Sequence, residues 1–211
     1  MTVTSRTLSK GGLSMSLTLE GEQSAQNLLR ALGREAEKPL AKALNRGIQG
    51  MRTDLVDGAR EHYNVKAKTV RSSITTTKAR KSSGSQAKRL DARINVSGST
   101  LPLYSFGPRP RKPTPQKPPR VGVSVQVMQG AGRSKIPGAF IADLPTRGRG
   151  VYRRAGKAGS QDKLIALHSL SVPQMVDHED VLKRVQAGAQ ERFSKNLEHE
   201  IDYILSQKGL K

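Results

Sequence analysis

Three stretches of this chain hold residue types that could do chemistry. His178-Glu179-Asp180 sets an imidazole beside two carboxylates, a group that could ligate a metal or move a proton. It directly precedes a helical pattern, though, and acids at a helix start are favoured by the positive end of the dipole, so capping is the expected role. None of the four histidines has metal-ligand spacing; His199 falls in a charged helical stretch and His168 beside a strand pattern, and both are expected at the surface. Gly130-Ala131-Gly132-Arg133-Ser134-Lys135 has the glycines and lysine of a phosphate loop. It lacks the G-x-x-x-x-G-K-[ST] spacing, and Pro137-Gly138 opposes a helix start, so it is expected to be a turn. Gly148, Gly150 and Gly156 do not make a dinucleotide spacing, and no G-x-S-x-G elbow occurs.

Hydrolysis of glycosides or phosphodiesters needs facing carboxylates. Between residues 62 and 160 the only acids are Asp91 and Asp143, which leaves a metal-dependent nuclease a weak third reading. There is no cysteine, so disulfides, thiolate metal sites and cysteine nucleophiles are excluded, and the chain suits a reducing cytoplasm. No catalytic residue, metal or cofactor is expected, and hence no enzyme.

The charge is distributed unevenly. The net charge is +20 over 211 residues. Residues 1–61 hold nine Lys/Arg against seven acids, and residues 161–211 hold seven against eight. Residues 62–160 hold twenty-one against two, so the excess sits in the middle of the chain. Such concentration implies a polyanionic or acidic partner for that part, a solvated basic surface being the plainer alternative.

The elements around this centre follow from apolar spacing. Leu13, Met15, Leu17 and Leu19 alternate with Ser and Thr, predicting a strand after a flexible polar arm at 1–12. Leu28, Leu32, Ala36, Leu40, Leu44, Ile48, Met51, Leu55 and Ala59 recur at three or four, predicting a long helix from a Ser24 cap. Pro39 should kink it or start a second helix. Gly33, Gly47, Gly50 and Gly58 weaken it by up to ~1 kcal/mol each, so packing must hold it. A short helix is expected at 65–74, capped by Asn64, and a mobile loop at 80–89.

Strands are expected near 90–97, 121–127, 137–142, 150–154 and 163–172, with Phe140 and Tyr152 in core positions. Between them lie a proline-rich basic arm at 108–120 and basic, glycine-rich loops at 129–135 and 146–160. After Pro173, Leu182, Val185, Ala189, Phe193, Leu197, Ile201 and Ile204 predict a second long helix, closed by Gly209. The expected fold class is α+β in one domain spanning 1–211. An antiparallel sheet or partial barrel would be flanked by long N- and C-terminal helices, with extended basic loops. No signal peptide or membrane span is visible in the sequence.

A basic centre can bind phosphate through counterion release. Zinc-finger spacing, an RNP-like aromatic pair and a basic heptad region are all missing, so any DNA contact is expected through charge and shape. One reading of the sequence is therefore a non-specific nucleic-acid-binding protein with a basic β-rich core.

Four stretches resemble the prophage minor tail protein Z family, the tail-completion proteins of lambda-like siphophages. They are KALNRGIQGMRTDLVDGAREHYNVKAKTVRSSI (42–74), LPLYSFGPRP (101–110), GAFIA (138–142) with GVYRRAG (150–156), and LHSLSVPQM (167–175). The resemblance implies a virion protein, made in the host cytoplasm, that completes the head-proximal end of the tail and serves head–tail joining and DNA positioning. It implies a ring, commonly of six copies, flanked by tail-terminator, tail-tube or head–tail connector proteins. Combined with the charge map, it makes Arg109, Arg111, Lys112, Lys117, Arg120, Arg147, Arg149, Arg153 and Arg154 the candidate contacts to DNA or a neighbouring protein.

Overall fold

A computed structural model describes residues 3–9, 12–18, 33–79, 91–113, 122–155 and 164–207, together with Asn27, Arg30 and Ala31. The predicted cap at Ser24, the loop at 80–89, the arm beyond residue 113 and the closing Gly209 lie outside those residues, as do Leu28 and Leu32. The elements are β1 (Val3–Ser9), β2 (Gly12–Thr18), α1 (Arg34–His62), α2 (Ala67–Ser72), β3 (Ile74–Thr77), β4 (Asp91–Ser97) and β5 (Thr100–Pro102). A 3₁₀ turn (Leu103–Phe106) leads to β6 (Val123–Val125), β7 (Ser134–Ile136), β8 (Ala139–Leu144) and β9 (Gly148–Arg154). Last come β10 (Leu164–Ala166), β11 (His168–Ser171), α3 (Val172–Val176) and α4 (Glu179–Gln207). The fold is α+β, with a long helix early in the chain and another late. Every strand pairing is antiparallel and no barrel closes among the described residues.

The apolar stripe of α1 behaves as its spacing predicts. Ala36, Leu40, Leu44, Ile48, Met51, Leu55 and Ala59 are all fully buried. Each large member contributes roughly 1.5–3 kcal/mol by leaving water. α1 begins at Arg34 with Gly33 (φ +52°) as its N-cap, Asn27, Arg30 and Ala31 ahead of that break are themselves helical, and Pro39 lies inside the first two turns of α1 without dividing it. The four-stranded sheet, ordered β1-β2-β4-β3, presents Leu13, Met15 and Leu17 of β2 and Ala92, Ile94 and Val96 of β4 to the same core. Asn45 fastens α1 to the exit of β3: its amide nitrogen donates to Ala79 O at 3.0 Å, and the Ala79 amide donates back to Asn45 Oδ1 at 2.8 Å.

α4 lies antiparallel along α1. Arg46 bonds Glu200, Asp54 bonds Arg192, and Glu61 bonds Arg184, so partners climb on one helix as they fall on the other. Between these ion pairs sits an apolar seam made by Val181, Val185, Ala189, Phe193 and Leu197. The glycines that weaken α1 in isolation let its neighbours approach. A Cβ on Gly58 would stand 2.9 Å from Val181 Cγ1, one on Gly50 2.9 Å from Arg192 Cδ, and one on Gly47 2.8 Å from Leu17 Cδ2. Gly188 does the same service on α4, where a Cβ would meet Asp54 Oδ2 at 2.8 Å.

Several sequence expectations are corrected. Residues 3–9, expected in a polar arm over 1–12, form β1 against β2. Asn64 does not cap α2: Lys66 holds that position, and the Asn64 side chain donates to Gln126 O at 3.1 Å. The strand expected over 163–172 is two strands, because the chain changes partner at Leu167: its amide still donates to Val151 O in line with β9, while its carbonyl accepts from Leu103 N in line with β5. The helix after Pro173 is interrupted at Asp177-His178, giving α3 and α4. A capping box of Ser171 and Gln174 starts α3. Ser134 and Lys135, expected within the loop 129–135, instead belong to β7, which pairs with a shortened β6.

Candidate functional site

The site to be tested is the basic surface of the strand-rich centre. Its anchor is the 3₁₀ turn, whose Leu103 and Phe106 are buried. Gly107, in the left-handed region at φ +59°, then turns the chain outward. Arg109 exchanges both backbone hydrogen bonds with Ser124, at 2.8 and 3.0 Å. The side chain of Arg133 pins this junction. Its guanidinium donates to Gly107 O and to Ser124 O, the latter at 2.8 Å, and Nε reaches Ser124 Oγ at 3.2 Å. Burial, reinforced by the Arg109 and Arg111 charges, lowers the Arg133 pKa from the ordinary arginine value. Those two cations therefore lie close to a third. Arg109, Arg111 and Lys112 are exposed, and the Tyr104 hydroxyl donates to Arg111 O at 3.3 Å. Lys117 and Arg120 lie outside the described residues.

The β8–β9 hairpin supplies the rest. Arg149 donates twice to Asp143 Oδ2, at 2.8 and 3.1 Å. That bond, with the Tyr104 hydroxyl alongside, raises the Arg149 pKa further. Tyr104 thus links the base of the arm to the start of β9. Arg147 extends to Leu164 O at 3.4 Å, and Leu164 is the β10 partner of Arg154. Arg153 is exposed between Ala139 and Ile165, and the Arg154 guanidinium stands 5.8 Å from the Phe140 ring centre, a cation–π contact. Tyr152 is buried as expected, whereas Phe140 is half-buried. Gly150 is needed under Tyr152, since a Cβ there would come within 3.0 Å of the ring. A groove of about 390 Å³ runs beside β9, with Arg147, Arg149, Tyr152 and His168 in its walls.

Of the expected contacts, Arg111, Arg147 and Arg149 are drawn together around Tyr104 and the groove, and Arg109 sits with Arg111 beside Arg133. Arg153 and Arg154 lie at the far end of β9. The two acids of the centre are both occupied locally. Asp143 holds Arg149, and Asp91 accepts from Arg93 Nε at 2.7 Å in another sheet. The remaining guanidinium groups present donors suited to phosphate or carboxylate oxygens. Sequence reasoning passed over Arg133, whose position in a Gly-rich turn gives no local sign that its side chain binds backbone carbonyls. It also passed over His62, which the fold stacks against His178.

A family model described as prophage minor tail protein Z matches residues 19–208. The chain belongs to that family. It is a structural protein of the bacteriophage tail, and so a component of the virion. The match covers all four stretches that carried the resemblance. Searches of curated proteins and of solved structures return no significant match. Among the described residues of this minor tail protein, no helix is long and apolar enough to cross a membrane.

Proposed function

We propose that this subunit completes the head-proximal end of the tail, acting in tail assembly, head–tail joining and the positioning of DNA for ejection, and that it does so without catalysis. It works as one domain within a homo-oligomeric ring, for which six copies is the expected number. Its exposed basic face, centred on Arg109, Arg111, Lys112, Arg147, Arg149, Arg153 and Arg154, meets DNA or an acidic neck, tail-terminator or tail-tube protein. One observation carries this reading: the surplus of positive charge is confined to the strand-rich centre, where both acids are already paired. Six copies would bring on the order of +120 together, a repulsion that salt screens only in part and that an anionic partner relieves. Family membership supports the tail role, and the charge map supports the direction in which the face points.

The test is a charge-reversal series in phage particles, with Arg109, Arg111 and Lys112 changed to Glu in one variant and Arg147, Arg153 and Arg154 in another. Joining of heads to tails and infectivity should fall while the purified subunit melts as the wild type does. Wild-type yields of infectious particles from both variants would remove the basic face from the mechanism. A gel shift across a salt series addresses DNA directly. Tight binding by the free monomer, with a steep salt slope, would favour a general nucleic-acid-binding role instead.

A further inference from the structure

Three possible metal donors from two separate elements meet where one end of α1 reaches the start of α4. His62 is the last residue of α1, His178 immediately precedes α4, and Asp180 is in its first turn. The two imidazoles stack with ring centres 4.5 Å apart and planes 24° from parallel, and the Tyr63 ring stands edge-on to His178 at 6.5 Å. One ligand atom from each of His62, His178 and Asp180 lies within 4.8 Å of the other two. His178 Nδ1 is closed off from solvent and has no hydrogen-bond partner. Its nearest carboxylate oxygen, Asp180 Oδ2, is 3.6 Å away, beyond hydrogen-bond range. A sealed polar nitrogen without a partner is unfavourable, and an ion held between these groups would relieve it.

We propose that His62, His178 and Asp180 bind one divalent transition-metal ion of the zinc type. Two imidazoles and one carboxylate match the donor preference of Zn²⁺, Co²⁺ and Ni²⁺, with water filling the open position. Ca²⁺ and Mg²⁺ require more oxygen donors than this group offers. Around a tetrahedral ion with bonds of about 2.0–2.1 Å, ligand atoms stand roughly 3.3 Å apart, so no gap has to close by more than about 1.5 Å. The adjustment falls on Asp180, whose side chain is 63% exposed, and on the imidazoles, which turn out of their stack to aim one nitrogen each at the ion. Of the neighbouring acids, Glu61 is paired with Arg184 and Glu179 with Lys183 at 2.6 Å. The negative end of the α1 dipole faces the ion from one side and offsets the positive end of α4 on the other. Helix capping accounts for acids at 179 and 180, but not for a histidine delivered from the far end of another helix. The bound ion is structural: it clips α1 to the turn that begins α4 and closes the helix pair at that end.

The experiment is calorimetric titration of the full chain, stripped of metal, with Zn²⁺ and Co²⁺, together with the visible absorption of the Co²⁺ form. One ion per chain is expected, with the bands of a four- or five-coordinate Co²⁺ site. His62→Gln, His178→Gln and Asp180→Asn should each weaken binding at least about tenfold. His168→Gln and His199→Gln should leave it unchanged. Zn²⁺ should raise the melting temperature of the wild type and not that of the triple variant. Circular dichroism of each variant precedes titration, and Asp180→Asn, altering an exposed side chain, still tests the site should a histidine variant unfold. No ion bound at about 1 mM metal, binding that survives the triple substitution, or equal loss in the His168 and His199 controls would overturn the assignment.

Discussion

The helix pair and the strand-rich centre use charge in opposite ways. Across α1 and α4, acids and bases are matched between elements: Asp54 with Arg192, Glu61 with Arg184, and Glu200 with Arg46 and Lys42. In the centre the two acids are matched within their own sheets, and among the described residues every basic side chain there except Arg133 is exposed. Matched charge across a seam fixes register, because a shift along the helix would separate every pair at once. Unmatched charge on a sheet fixes nothing inside the molecule, so its effects belong to what the molecule touches. Substitutions in the first region should therefore unfold the protein, and those in the second should leave the fold intact and impair assembly.

The sharpest way to break this contrast is at Asp54. It is 8% exposed, and Arg192 holds both of its oxygens, at 2.6 and 2.7 Å. Arg192→Ala should lower stability by about 2–3 kcal/mol, since a buried carboxylate loses its partner while Arg192 itself was partly solvated. Urea unfolding measures this, and adding Asp54→Asn should restore much of the loss. A single variant as stable as the wild type would show that the seam does not depend on this pair. Next in size is Gly58→Val. Val181 is fully buried and has no room to retreat from a new side chain, so a loss of about 1–3 kcal/mol is expected. A more stable variant would mean that relief of glycine entropy outweighs the tight seam.

Arg133→Ala is a smaller and local break. Hydrogen exchange at the Arg109 and Ser124 amides should quicken about tenfold, the loss of roughly one hydrogen bond's worth of protection, while α1 and α4 amides are unaffected. Arg149→Ala should leave thermal melting nearly unchanged, because its pair with Asp143 lies at the surface with both side chains about half exposed, and should act chiefly on head–tail joining. The pH dependence from Asp54 is the smallest effect. Burial pushes its carboxyl up, with Arg192 and Arg184 working against that, so the folded state holds this proton more readily than the unfolded chain does. Its contribution to stability is therefore present below the unfolded value of about 3.9 and declines as pH rises through the raised folded value. Asp54→Asn should lose that decline, which acid titration of the unfolding free energy would detect.

What was legible in the sequence follows from how local each signal was. The α1 stripe from Ala36 to Ala59 and the alternating faces of β2 and β4 were plain, because one helix or strand face meeting one core writes its period directly into the chain. The short strands β3, β5 and β7 were not. β5 has three residues including Pro102, and it pairs with β11 only because the 3₁₀ turn and Leu167 bring the two together. The Asp177-His178 interruption was equally hidden, since the apolar spacing resumes directly after it. Within the candidate site, exposed arginines could be named from composition. The pinning role of Arg133 could not, because its acceptors are backbone carbonyls supplied by distant residues.

The pairing of α1 with α4 also orders events in time. Asp54 and Arg192 are 138 residues apart in the chain. At the usual ribosomal pace of about 5–20 residues per second, the side of α1 that faces α4 waits roughly 7–28 s for its cover. Contacts of such separation form late, after the loop between them has been closed. A subunit still being translated is therefore an unfinished building block, and its readiness to join a neighbour is set by the arrival of α4.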